Sequence, residues 1–215
     1  TSRRAFLKHL AVAAAVVRPG ALAARQGPAT PPGTIRKSTL ISMLPKEGSY
    51  AERFALARDA GFEAIEMRTV TRDEEAAEIR EAAGKTGLRV HSVMNEDHWR
   101  FPLSSSDPET VNRSVLGMQT SIRNAALWGA DTVLLHTRAD FRPTRENKDR
   151  LSRFVDAKRM GGLWVAWRAE GLWDSQEARD EAAAGTTLVP VVDPLALERD
   201  EEPIPEGDRI YWRLL

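Results

Sequence analysis

Cysteine is absent from the 215 residues, which removes disulfides, thiolate metal sites and cysteine nucleophiles together. An excess of charge is absent too, since 31 Lys and Arg balance 31 Asp and Glu. A chain with no net charge gives no electrostatic reason to expect nucleic acid or an anionic surface as partner. No segment is apolar over the roughly 20 residues that a helix needs to cross a bilayer, so no membrane span is expected in a mature form. What is present is punctuation. Glycines follow polar helical runs at Gly61, Gly87 and Gly129, and each is followed almost at once by a short apolar segment. A glycine just past a helix takes the left-handed conformation without steric cost and so marks the stop.

The N-terminus has the order of an export signal. Ser2, Arg3, Arg4, Ala5, Phe6, Leu7 and Lys8 form a twin-arginine pattern, an apolar run covers 10–17, and Ala21, Leu22 and Ala23 make a small-x-small cleavage signal. We read 1–24 as a twin-arginine signal peptide, with export to a periplasmic or extracellular location. Residues 25–35, rich in Pro and Gly, read as a disordered linker.

The body then alternates. Strands are expected at 38–44, 63–67, 88–94 and 132–136. Between them lie helices starting at Ser49, whose capping box partner is Glu52, near Arg72, and at Asp107-Pro108-Glu109. Apolar residues at helical spacing mark the buried faces: Phe54, Ala57 and Ala60; Ala76, Ile79 and Ala83; Val111, Val115, Met118, Ile122, Ala125 and Ala126. Strands alternating with helices predict a parallel α/β sheet, and the strand C-termini are where such a fold places its chemistry. The loop 95–105 is longer than the usual connection of about 2–6 residues, which marks it as functional. Past Thr137 the alternation weakens. A helix is expected over 145–158, a strand within 161–167 and a helix over 176–184. A further strand at 188–192 carries Pro190, which bars a central position unless it sits at the end. The tail 198–206 is acidic and proline-punctuated.

The segments Ala60-Gly61-Phe62-Glu63-Ala64-Ile65-Glu66-Met67, Leu88-Arg89-Val90-His91-Ser92-Val93-Met94-Asn95, His98-Trp99, Pro102-Leu103-Ser104-Ser105 and Gly129-Ala130-Asp131-Thr132-Val133-Leu134-Leu135 carry a likeness. Over just under half of the chain it resembles the xylose-isomerase-like TIM-barrel superfamily of sugar phosphate isomerases and epimerases. The resemblance implies a (β/α)8 barrel of which 36–137 is the N-terminal half, about four βα units, with 138–215 a divergent or incomplete region. A typical barrel has roughly 250 residues. It also implies a small sugar as partner, proton transfer beside a carbonyl, and a divalent metal (Mn, Mg, Zn or Co) held by Glu, Asp, His and Glu of later strands. Those ligands have no match in this sequence, so the metal's holders stay unassigned. One expectation for the break is that 137–187 is inserted or out of frame.

Glu66 and His91 are the catalytic candidates, and Asn95, His98 and Trp99 the substrate-binding ones. A lone histidine inside a strand is more often a hydrogen-bonded wall residue than a ligand, so His91 carries both readings. Trp99 suits a sugar face and suits packing against a loop equally well. His136 ends its strand in a good position, while Trp164, Trp167 and Trp173 read more simply as core. The competing functions are a non-catalytic sugar-binding module on the same scaffold and a truncated or frameshifted chain without activity.

Overall fold

A computed structural model describes residues 36–137, 144–155, 162–168, 176–184, 186–192 and 211–212. The twin-arginine pattern, the linker, Trp173 and the acidic tail lie outside the described residues.

Seven strands pair in chain order, every neighbour parallel. They are β1 (Ser38–Leu40), β2 (Ala64–Arg68), β3 (Arg89–Met94), β4 (Thr132–His136), β5 (Trp164–Arg168), β6 (Leu188–Val192) and the two-residue β7 (Tyr211–Trp212). The first five connections each carry a helix: α1 (Tyr50–Asp59), α2 (Asp73–Thr86), α3 (Pro108–Trp128), α4 (Arg145–Val155) and α5 (Gln176–Ala183). This is the α/β arrangement of a partial TIM barrel. It runs beyond four units, because β5 pairs with β4 from Thr132↔Trp164 to His136↔Arg168 and separates β4 from β6. The stretch read as inserted thus supplies a strand in the middle of the sheet.

Local chemistry explains the elements. Ser49 accepts from the Glu52 amide while the Glu52 side chain accepts from the Ser49 amide, closing the capping box of α1. Asp107 caps α3 by accepting from the Glu109 and Thr110 amides. Helices α2 and α3 end on Gly87 and Gly129, both at φ 72°. β1 is shorter than expected. Ile41–Met43 turn into a 3₁₀ helix, the Ile41 carbonyl accepts from the Leu44 amide and the Arg53 guanidinium, and the Ile41 side chain enters the core. Pro190 is tolerated within β6 for a register reason. Val165 donates to Thr187, so alternate residues from 187 onward turn their hydrogen-bonding groups toward β5, and Pro190 turns its missing N–H away from it. β7 pairs only with Val191 and Val192.

The sheet has two unlike faces. Ile65, Met67, Val90, Val93, Val133, Leu135, Val165, Trp167 and Leu188 join Phe54, Ile79, Met118 and Trp128 in one apolar core under the helices. Burying each large side chain of this kind contributes about 1.5–3 kcal/mol. Ala64, Glu66, Ser92, Leu134, His136 and Ala166 are buried too, yet stand outside that core, on the face turned away from the helices. The buried side of α3 departs from the apolar pattern. Ser114, Gly117, Ser121 and Asn124 are buried with Val111, Met118, Ala125 and Trp128, whereas Ala126 is exposed. Two of the polar residues meet the loop after β2: Asn124 Oδ1 accepts from the Val70 amide at 2.9 Å, and the Ser121 and Thr69 hydroxyls meet at 2.7 Å.

The Thr110 hydroxyl, with the Glu109 and Thr110 amides, holds the Asp107 carboxyl below its usual range. A value lowered by folding means stability that is complete above the unfolded value of about 3.9 and lost as pH falls through the folded one. Replacing Asp107→Asn keeps a capping oxygen and removes the charge that the helix N-terminus favours. Urea midpoints measured against pH are expected to favour the wild type at pH 7 and to converge with the variant as pH falls through the lowered Asp107 value.

Candidate functional site

The site begins with one surplus residue. Across β2 and β3, Ile65 pairs with Val90 but Glu66 pairs with Ser92, so His91 is a bulge without a counterpart. The consequence is visible in the packing. Val90 and Val93, three apart, both enter the helix-side core, which an unbroken strand with a period of two forbids. His91 and Ser92 between them therefore both face away from the helices. Glu66, flanked by the core residues Ile65 and Met67, faces the same way.

Three side chains are joined there. The Ser92 hydroxyl donates to Glu66 Oε2 at 2.8 Å and lies 3.1 Å from His91 Nε2. The single Ser92 proton is committed to Glu66, because a carboxylate only accepts. With Glu66 ionised, Ser92 accepts from His91 only in the Nε2–H tautomer, in which Nδ1 of a neutral ring is the basic nitrogen. Glu66 is 3% exposed and Ser92 fully buried, while His91 is partly exposed. His91 is the member of the relay that solvent reaches.

A second group stands at the C-terminal ends of the strands. The loop after β3 folds over the end of β4 and puts the Trp99 ring 4.1 Å from His136, with His98 5.4 Å from His136 and 5.2 Å from Trp99 between ring centres. His98 and His136 are buried, and Trp99 is 55% exposed. In register, Thr132 lies beside Ser92 and His136 is four residues farther along, about 13 Å at a strand's rise. Relay and ring cluster are thus two levels of the same region.

Asn95 belongs to neither level. It is fully buried, caps the 3₁₀ turn Glu96–His98 by accepting from the Asp97 amide, and lies 3.8 Å from Met118 Sδ. Arg68, two residues past Glu66, turns to Glu75 of α2 at 3.6 Å, where Arg72 also pairs. Burial pushes the Tyr50 hydroxyl up, and its hydrogen bond to Glu75 pulls that carboxyl down. A cavity of about 130 Å³ lies between α1 and α2, lined by Ser49, Ala51, Glu78, Glu81, Ala82 and Lys85, none of them a member of the relay or the ring cluster.

The structure thus links Glu66 with His91 and His98 with Trp99. Sequence reasoning passed over Ser92, the atom between the two catalytic candidates. The available signal was spacing: Glu66 and Ser92 each stand five positions after a helix-stopping glycine, 61 to 66 and 87 to 92. Among the described residues, no three His, Asp or Glu side chains come together to hold a metal ion. The divalent metal implied by the resemblance does not fit the residues described. No helix among the described residues is long and apolar enough to cross a membrane.

Residues 54–160 match the family described as xylose isomerase-like TIM barrel. Over 102 residues the chain is 30% identical to SgbU of Escherichia coli (strain K12), provisionally named an L-ribulose-5-phosphate 3-epimerase, covering 43% of this chain and 36% of that protein. The chain therefore spans about a third of that relative's length. A xylose isomerase-like TIM barrel protein from Mycobacterium smegmatis, solved in complex with magnesium, superposes with a TM-score of 0.56 at 15% identity over 79% of this chain and 68% of its own. A D-allulose 3-epimerase from Methylomonas sp., solved with D-allulose, gives 0.54 at 15% identity over 74% and 62%. At such identities the structures establish the fold alone. The family match over residues 54–160 is what bears on the superfamily.

The relay makes a prediction of its own. In ¹⁵N NMR spectra at neutral pH, His91 is expected as the Nε2–H tautomer, and Ser92→Ala is expected to move it toward a tautomer mixture with the fold intact. An Nδ1–H ring in the wild type would contradict the relay.

Proposed function

We propose that the chain is a sugar isomerase- or epimerase-like protein that moves a proton next to a carbonyl, with His91 as the group that meets the sugar. The observation that carries this is the hydrogen-bonded order Glu66, Ser92, His91 on the face away from the helices. His91 Nδ1 takes the proton from the carbon beside the carbonyl, the C–H electron pair passes to the carbonyl oxygen as an enediolate, and the proton returns from the same nitrogen. Glu66 stabilises the imidazolium that forms in between, through Ser92. Return to the neighbouring carbon on the same side, with the hydroxyl proton passing from the carbinol oxygen to the former carbonyl oxygen, is isomerisation. Return to the opposite side of the same carbon needs a second acid, so a lone relay suits the isomerase outcome. Trp99, half exposed beside His98 and His136, offers an apolar ring to a sugar face. The family match and the epimerases among the similar proteins support the class of reaction. The twin-arginine pattern at Arg3 and Arg4 supports export, and we propose a periplasmic or extracellular location on that ground.

Incubation with D-allulose in deuterium oxide tests the reading. Deuterium is expected at a carbon flanking the C2 carbonyl. The rate should fall roughly 10²–10⁴-fold in His91→Asn and substantially in Glu66→Gln, which keeps the hydrogen bond from Ser92 but loses the charge. Binding without exchange in the wild type would make the chain a sugar-binding module. Neither binding nor exchange, with a panel of aldoses and ketoses, would remove the sugar reading.

A further inference from the structure

The loop that carries His98 and Trp99 is held at three places. At its start, the turn Glu96–His98 presses on α3 where Gly117 leaves no side chain. A Cβ added at Gly117 would lie 3.1 Å from Asp97 Oδ2, 3.2 Å from Asp97 Cβ and 3.5 Å from Asn95 Oδ1. Glycine inside a long helix is disfavoured against alanine, so its presence here answers to this close approach. In the middle, the Phe101 ring has the guanidinium groups of Arg100 and of Arg113 from α3 at 5.2 and 5.1 Å from its centre. At its end, Arg150 of α4 donates through Nη1 to the carbonyls of Leu103 at 2.8 Å and Ser105 at 3.2 Å, with a side chain only 15% exposed. Trp99 falls between the first and second anchors. A ring that is 55% exposed nevertheless stands 4.1 Å from His136.

We propose that Gly117 and Arg150 are positioning residues that clamp the loop after β3 and so fix the Trp99 ring over His136. Neither touches the ring itself. Gly117 sets how closely the turn approaches α3, and Arg150 keeps the far end of the loop from drifting outward. The clamp presents a fixed aromatic platform without any movement on ligand arrival, which limits the ordering cost of binding.

The test uses the full chain with ¹⁵N-labelled tryptophan, the Trp99 indole signal being assigned by Trp99→Phe. In Gly117→Ala, the helix preference of alanine opposes the displacement of the turn at Asp97, so the melting temperature is expected to change little. The Trp99 indole signal is expected to move toward that of a solvent-exposed tryptophan, and D-allulose to bind roughly tenfold more weakly. A merely structural glycine would lower the melting temperature and leave the Trp99 signal in place. Arg150→Lys, which cannot span both carbonyls with one nitrogen in the same geometry, should shift the signal in the same direction and serves as the deciding variant if Gly117→Ala does not fold. A Trp99 signal identical to wild type in the folded variants overturns the clamp. The affinity arm rests on the sugar reading above. If the wild type binds no D-allulose, that reading loses support while the indole signal still decides the clamp.

Discussion

One surplus residue in β3 sets where Glu66, Ser92 and His91 stand. Had the ladder between β2 and β3 run unbroken from Ile65↔Val90, Glu66 would pair with His91, and Val93 would point away from the core it now fills. The bulge instead gives Glu66 to Ser92 and leaves His91 beside them on the same face. A bulge costs ladder pairing locally, and here the loss is offset by the packing of Val90 and Val93 together under the helices and by the two hydrogen bonds of Ser92. Packing on one face and a polar relay on the other are two results of the same slip.

Around that slip the fold supplies rigidity in the ordinary way of parallel sheets. Strands buried on both faces keep their pairing because neither side has water to compete for the backbone, and helices cover the apolar side. The polar stripe of α3 does something different. Asn124 and Ser121 hold the loop after β2, and Gly117 receives the loop after β3, so one helix face governs two of the loops at the strand ends. A wholly apolar stripe there would leave the Val70 amide without its present acceptor.

Much of the scaffold was legible because it depends on local chemistry. The capping box at Ser49 and Glu52, the Asp107 cap and the stop glycines 87 and 129 mark element ends within a residue or two. Thr132–His136 could be read directly from its apolar run. What depends on non-local contact was not legible. No pattern in β3 announces that His91 is surplus, since a bulge is defined by the partner strand. The buried face of α3 was legible in its apolar residues, since Val111, Met118 and Ala125 are buried and Val115 and Ile122 pack against the core, but Ser121 and Asn124 look exposed until the loop that satisfies them is in place. Asn95 drew notice as a polar residue at a strand end, yet its side chain is spent on capping the turn that follows. His136 was read as well placed, but its stacking with His98 and Trp99 comes from a fold-back of the loop that spacing alone does not encode.

The central claim is that Glu66, Ser92 and His91 form one connected group that presents His91 to a carbohydrate. A crystal structure of the full chain soaked with D-allulose tests it most directly. The account predicts Ser92 Oγ within hydrogen-bonding distance of both Glu66 and His91, and the sugar against the His91 ring on the face away from the helices. An unbroken β2–β3 ladder with His91 turned from Ser92, or a sugar seated elsewhere on the molecule, would contradict it.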